Sequence, residues 1–371
     1  MIDRRLAQHI DWLLLLLVTA IVAMGVTTVY SATFRQAQSQ MMSPLVLRQV
    51  IWAGAGAVLM AALLVVDYRK IERFAYVIYA LVVGLLVLVP TVGFLSGGSR
   101  RWIHLGFFAL QPSELAKLAL IIVLARYFHR DYARDSYRLR EIIVPTACFA
   151  VPAVLTLAQP DLGSAAVMGF IFVSMVLIAG LRVRSMIWLA VIGVIGVAGA
   201  GNMLWSHLKP YQQRRIVTFL NPESDPLGAG YHLIQSKIAV GSGTLWGKGF
   251  LHGTQNQLKF LPEQHTDFIF SVYAEEWGFV GCALLALLYA ALLLRGFQII
   301  ARAKDRFGAL LAFGVLSMIF WQVFVNMAMT TGLLPVVGIT LPFFSYGGSS
   351  MITLLLGIGL MLNVSMRRFT F

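Results

Sequence analysis

Trp12-Leu-Leu-Leu-Leu-Leu-Val-Thr-Ala-Ile-Val-Ala-Met-Gly-Val-Thr-Thr-Val-Tyr-Ser-Ala32 is a run of 21 residues without a single charge. A helix that crosses a bilayer needs about 20 mostly apolar residues, so this stretch is long enough. Arg4 and Arg5 precede it and no small-residue cleavage site follows. It is therefore expected to be an uncleaved first transmembrane helix and not a signal peptide.

Reading outward from it, comparable runs lie at 47–66, 74–95, 113–129, 142–158, 164–181, 186–205, 268–294, 307–331 and 342–364. The fourth to sixth are short and interrupted by proline or charge. The chain of 371 residues is 59% hydrophobic and 12% charged, against about 25% charged residues in a soluble domain. The expected fold is an all-α integral membrane protein, a single polytopic domain over residues 1–371. About ten transmembrane helices form the bundle, with one long, partly ordered extracytoplasmic loop at 206–267. That loop is too polar to span, yet 230–240 is amphipathic, which implies a segment partly re-entering the bundle.

The net charge is +13. The basic residues fall mainly in short loops between apolar runs, so membrane topology explains them and no nucleic-acid partner is expected. With both termini cytoplasmic, 18 of the 29 basic residues are inside. Six of the other 11 sit in the 206–267 loop, and long loops obey the positive-inside rule weakly. Cys148 and Cys282 lie inside apolar runs and imply no disulfide framework.

Ionisable residues at membrane depth are costly and mark function by default. In or next to the outer half of the bundle the sequence places Glu114, Asp161, Glu263 and Asp267. Asp267 ends the segment Leu261-Pro-Glu-Gln-His-Thr-Asp267, which also carries His265, and stands at the expected start of the eighth span. It is either a helix cap stabilised by the macrodipole or a general base in a partly dry cavity. In Gln111-Pro-Ser-Glu-Leu-Ala-Lys117 the spacing puts Glu114 and Lys117 on one helix face, with Ser113 as an N-cap. That pair is either structural or a phosphate-binding lysine with its orienting carboxylate. Gln159-Pro-Asp-Leu-Gly163 reads as a turn, with Asp161 at its outer side. Leu341-Pro-Phe-Phe-Ser-Tyr-Gly-Gly-Ser-Ser350 is broken backbone around Ser349, tolerated at membrane depth only where it lines a cavity or is buried in protein. A second outer loop, 96–112, contributes Arg101 and Trp102.

Other patterns fail. Gly247-Lys-Gly-Phe-Leu-His-Gly253 is not a dinucleotide fingerprint, and Ser206-His-Leu-Lys209 lacks the companion motifs of a serine acyl-enzyme. His265 and Asp267 alone make no metal site.

These readings leave a transporter and an enzyme for a lipid-linked substrate both open. The motifs go further. Leu261-Pro-Glu-Gln-His-Thr-Asp-Phe-Ile-Phe270 with Ala274-Glu-Glu-Trp-Gly278, together with the segments at 111–114, 159–163 and 341–350, resembles the signatures of the SEDS family (shape, elongation, division and sporulation proteins), in order and over most of the chain. The absence of a long N-terminal extension, the stretch Gly249-Phe-Leu-His-Gly-Thr-Gln-Asn-Gln257, and Gln264 resemble the rod-elongation members more than the division members. The resemblance implies a peptidoglycan glycosyltransferase of the bacterial cytoplasmic membrane that polymerises lipid II into β(1→4) strands at the outer face. It implies a class B penicillin-binding protein as partner, besides membrane lipids. It makes Asp267 the base, with Lys117, Arg101, Arg214 and Arg215 as candidates for the departing diphosphate. Glu114, Asp161, Trp102, His265 and Ser349 would line or support the site. Mg²⁺ or Mn²⁺ would suit the hard oxygens there. A lipid II flippase and a noncatalytic scaffold are the rival readings.

Overall fold

A computed structural model describes residues 9–34, 43–96, 99–106, 108–130, 137–182, 213, 217–221, 229–258, 260 and 264–369. Its elements, in order, are α1 (Trp12–Thr33), α2 (Pro44–Val65), α3 (Tyr68–Arg73), α4 (Ala75–Val92), β1 (Phe94–Ser96), β2 (Ser99–Leu105), β3 (Phe108–Leu110), α5 (Pro112–Arg130), α6 (Ile143–Ala158), α7 (Leu162–Gly180), α8 (Ala229–Ser242), α9 (Thr254–Gln257), α10 (Ile269–Ala301), α11 (Arg306–Thr331) and α12 (Gly348–Met366). The expected span at 186–205 lies outside the described residues.

Among the described residues, eight helices are long and apolar enough to cross a membrane: α1, α2, α4, α6 (with the preceding 3-10 turn), α7, α10, α11 and α12. The ninth long helix, α5, carries Glu114, Lys117, Arg126 and Arg130 along its 19 residues. It tolerates them because it is interior: its middle, Ala116 to Ala125, is continuously buried, and α4, α6, α7, α11 and α12 pack around it. Its charges are therefore solvated by protein and not by lipid. The chain is thus a polytopic helical membrane protein. α12 is the most deeply enclosed span, and α2 runs along it, with Gly56 against Leu355 and Gly359 against Met60 and Leu63. Small residues let these helices approach closely, as bundles do in lipid.

Polar groups gather at the two ends. One end is stitched by Asp11 to Arg295 at 2.9 Å, Arg367 to Asp67 at 3.5 Å and Arg69 to Asp305 at 3.8 Å. Tyr68 donates to Asp305 at 2.6 Å. Burial and the Asp305 carboxylate hold its phenol above the ordinary value, so it remains a donor. The described parts of the chain begin and finish at this end. At the other end stand the antiparallel sheet β1-β2-β3, the first turns of α5, α7 and α12, and the segments 243–258, 264–268 and 332–347. The amphipathic stretch expected at 230–240 is α8, which packs on α10 and α11, with Ser236 buried against Ser271 Oγ and Thr330 O, each at 2.7 Å.

The span expected at 268–294 is longer, Ile269–Ala301, and it is broken. Gly278 sits at φ 62°, ψ −161° inside α10, a conformation open essentially to glycine alone. The break frees the Glu275 and Glu276 carbonyls, and Lys248 N and Gly249 N each donate to them at 3.0 Å. On the far side, Phe279 N and Val280 N donate to Thr244 O and Leu245 O at 2.9 and 3.1 Å. A side chain on Gly278 would meet Gly247 N at 2.3 Å. Gly278→Ala therefore lowers the unfolding free energy in detergent by on the order of 1–3 kcal/mol. By contrast, Gly84→Ala in α4, where nothing lies within 4 Å, raises it by roughly 0.5–1 kcal/mol. Paired melting curves of the two variants check both signs.

Candidate active site

Three of the quoted motifs meet around Asp161. This residue is the N-cap of α7, its Oδ1 accepting from Ser164 N at 3.1 Å. Its Oδ2 accepts from Ser113 Oγ and Gln111 Nε2, both at 3.1 Å. Ser113 thus spends its hydroxyl across to α7 instead of capping α5. Gln111 N donates to Ser349 Oγ at 3.0 Å, and that hydroxyl donates to Ala109 O at 3.0 Å. The starts of α5, α7 and α12 are thereby tied into one unit. Arg101 closes the same corner from the sheet, donating through Nε to Gln159 O at 3.0 Å and through Nη2 to Pro160 O. Trp102 follows it in β2, paired with Phe94. One turn into α5, Lys117 Nζ meets Glu114 Oε1 at 2.7 Å, with both side chains buried. Glu114 Oε2 is buried without a hydrogen-bond partner among the described residues.

Asp267 lies in a non-helical turn, residues 264–268, ahead of α10. The N-cap of α10 is Phe268, so Asp267 is not the helix cap that spacing alone allowed. The turn is fastened on several sides. Gln264 Nε2 donates to Ala32 O at 2.8 Å, and Tyr346 N to His265 O at 2.9 Å. Asn326 Nδ2 donates to Asp267 O at 3.0 Å. The His265 ring meets Tyr346 edge-on, with centroids 5.7 Å apart. The half-buried Asp267 side chain adjoins the Gly338 turn: a methyl on Gly338 would stand 3.4 Å from Asp267 Oδ2. The same turn touches the Asp161 corner, since a methyl on Gly163 would stand 2.7 Å from Val337 O and 3.1 Å from Gly338 O. Asp267 and the start of α7, which Asp161 caps, thus both adjoin the Gly338 turn. Arg214 and Arg215 lie outside the described residues.

The chain is similar to known proteins over nearly its whole length. The family model described as "Cell cycle protein", covering FtsW, RodA and SpoVE, matches residues 11–369. The chain belongs to the FtsW/RodA/SpoVE family. Peptidoglycan glycosyltransferase MrdB of Escherichia coli (strain K12) is 41% identical over 361 residues, which cover 97% of this chain and 94% of that protein. A chain of a solved peptidoglycan synthase complex, described as coordinating polymerization and crosslinking, superimposes with a TM-score of 0.82 at 35% identity, covering 98% of this chain and 99% of that one. The rod shape determining protein RodA of Thermus thermophilus superimposes with a TM-score of 0.71 at 33% identity, covering 98% of each chain.

The structure also brings forward two family-motif carboxylates that the sequence reading treated only as part of a signature. Glu275 is fully buried and accepts from Lys248 Nζ at 2.6 Å, Thr254 N at 2.8 Å, Thr254 Oγ1 at 2.9 Å and Gln255 N at 3.1 Å. It pins the 248–257 segment, the one that leads into the Asp267 turn. Its neighbour Glu276 is buried against α1, accepting from Ser31 Oγ. Their signal was the charge itself: two adjacent carboxylates in an otherwise apolar span need built partners. Among the described residues no three His, Cys, Asp or Glu side chains converge to hold a metal ion. The expected Mg²⁺ or Mn²⁺ therefore finds no protein cage there, and no chemical step is assigned to it.

Removing one member of a buried ion pair strands the other, at a cost of about 3–5 kcal/mol. Lys117→Met alone should destabilise the protein by that order, and adding Glu114→Gln should restore most of the loss. A double-mutant cycle on unfolding free energy measures the recovery.

Proposed function

We infer that this chain is a peptidoglycan glycosyltransferase that polymerises lipid II at the outer face of the bacterial cytoplasmic membrane, with Asp267 as its general base, serving cell elongation. One observation carries the residue assignment. Asp267 is presented by a fastened, non-helical turn, half buried, at the end of the bundle where the other quoted motifs meet, and it is not the N-cap residue of α10. A carboxylate held so firmly at that depth is what proton abstraction from a substrate hydroxyl requires.

The chemistry follows in balanced form. The acceptor sugar's 4-hydroxyl oxygen forms a bond to the anomeric carbon of the lipid-linked donor. Its proton passes to the Asp267 carboxylate. The bond from the anomeric carbon to the diphosphate oxygen breaks, and undecaprenyl diphosphate departs with the electron pair. Displacement at an α-linked donor leaves a β(1→4) linkage. Fixed positive charge near the leaving group stabilises the negative charge that develops on it. Lys117 and Arg101 already spend donors on Glu114 and on the Gln159 and Pro160 carbonyls. In this reading they contribute field and architecture, while Arg214 and Arg215 are candidates for direct contact.

The orientation proposed places both termini in the cytoplasm, which puts the end stitched by Arg295, Arg367 and Arg69 inside, as the positive-inside rule prefers. A class B penicillin-binding protein is the proposed partner. Support comes from the likeness to a chain of a synthase complex that combines polymerization with crosslinking.

The test uses the chain co-purified with that partner and lipid II in detergent, with glycan strands resolved on a gel. Wild type makes strands, and Asp267→Asn, still folded and partner-bound, loses at least about 100-fold in rate, the lower range expected for a general base. Movement of lipid II across vesicles without strand formation would establish a flippase instead. Strand formation by Asp267→Asn at wild-type rate would remove the base assignment.

A further inference from the structure

We propose that Asn326 of α11 is the positioning residue for Asp267, an inference that rests on the general-base reading above. Asn326 is fully buried, and its Nδ2 donates to two backbone carbonyls at once, Asp267 O at 3.0 Å and Ile339 O at 2.6 Å. Both partners are acceptors only, so the amide can be oriented one way: a flipped side chain would press its oxygen against two carbonyl oxygens. Its backbone carbonyl takes the Thr330 hydroxyl at 2.9 Å, on the same helix, and its side-chain Oδ1 is buried without a hydrogen-bond partner among the described residues.

The two carbonyls it joins belong to different segments. Asp267 O is in the turn that presents the carboxylate. Ile339 O follows Gly338, the residue next to Asp267 Oδ2. One NH₂ group thus sets the spacing between the reacting side chain and the wall beside it. Asp267 stands two residues ahead of the start of α10. The bond from Asn326 fastens its peptide to α11 there. A misplacement of about 1 Å in a reacting group can cost 10²-fold in rate, so this spacing controls turnover more than it controls substrate binding.

The fold supplies its own control. Asn363 of α12 is likewise buried and donates from Nδ2 to two carbonyls, Leu63 O at 2.8 Å and Val66 O at 2.6 Å. It does so at the opposite end of the bundle, beside Arg367 and Asp67. Asn326→Leu and Asn363→Leu remove the same pair of hydrogen bonds, and only the first pair touches Asp267.

The experiment compares these two variants, Asn326→Asp, Asp267→Asn and wild type, each co-purified with the penicillin-binding partner. It measures melting temperature, and kcat and KM for lipid II. Asn326→Asp keeps the shape but lacks the NH₂ donor and serves where Asn326→Leu does not fold. The expected result is a loss of about 10²-fold in kcat for the Asn326 variants, with KM within about threefold of wild type. Asn363→Leu shows a comparable drop in melting temperature and kcat within about threefold of wild type. Equal kcat for the Asn326 and Asn363 variants, or a loss confined to KM, overturns the proposal. In those outcomes an inactive Asp267→Asn leaves the general-base reading standing. A fully active Asp267→Asn removes that reading and the positioning role with it.

Discussion

Hydrocarbon offers no partner to a peptide group, so every interruption of a helix at membrane depth has to be closed by another part of the same chain. This constraint organises the end of the bundle that carries Asp267. The break at Gly278 leaves two carbonyls open, and the backbone of Lys248 and Gly249 comes in to meet them. That approach is so close that Gly247 and Gly278 face each other with no room for a side chain. Closing one break thereby fixes the course of the whole 243–257 segment. The Glu275 carboxylate, buried one turn before the break, gathers three residues of that segment onto α10. The start of α10 is held the same way, by Gln264 on Ala32 and Asn326 on Asp267. The site is built from irregular backbone, yet it is held by rigid helices.

Charge follows the same rule. A buried carboxylate without partners would neutralise or unfold its surroundings. Glu114 has Lys117, Glu275 has Lys248 and two backbone N–H groups, and Asp161 has Ser113, Gln111 and Ser164. These three carboxylates are consumed by architecture. Asp267 is fastened through its backbone carbonyl by Asn326. Its carboxylate is set beside a glycine turn where a side chain would have stood.

Much of this was legible in the sequence, and the reasons differ by element. The spans were readable because a bilayer demands a length of apolar chain that few other environments require. α5 was expected at 113–129 and found at Pro112–Arg130. Its two basic residues in the last two turns and its Glu114–Lys117 pair made it weakly hydrophobic, and its middle is enclosed by other helices. The pairing of Glu114 with Lys117 followed from three-residue spacing on a helix. The contact between Asp161 and Ser113 could not be read, because nothing local relates residues 48 positions apart. Ser113 looked like a cap, and its hydroxyl instead bridges helices. Glu275 and Glu276 were passed over because they sit within a span. Their partners, Lys248 and Ser31, come from distant segments that hydropathy places in a loop and in α1.

Why the proposed base should sit at a break and not on a helix follows from what the proposed reaction requires. A side chain projecting from the middle of a span faces lipid or a neighbouring helix, and neither admits a sugar hydroxyl. A turn between spans can reach such a substrate, but a turn left to itself is too mobile to hold a carboxylate within the tolerance that proton transfer sets. Fastening the turn resolves the conflict: Tyr346 N and Asn326 Nδ2 donate to the His265 and Asp267 carbonyls, and Gln264 Nε2 donates to Ala32 O. The cost is three buried polar contacts that have to be satisfied by α1, α11 and the segment before α12. That is why motifs scattered from residue 31 to residue 349 converge on one end of the bundle.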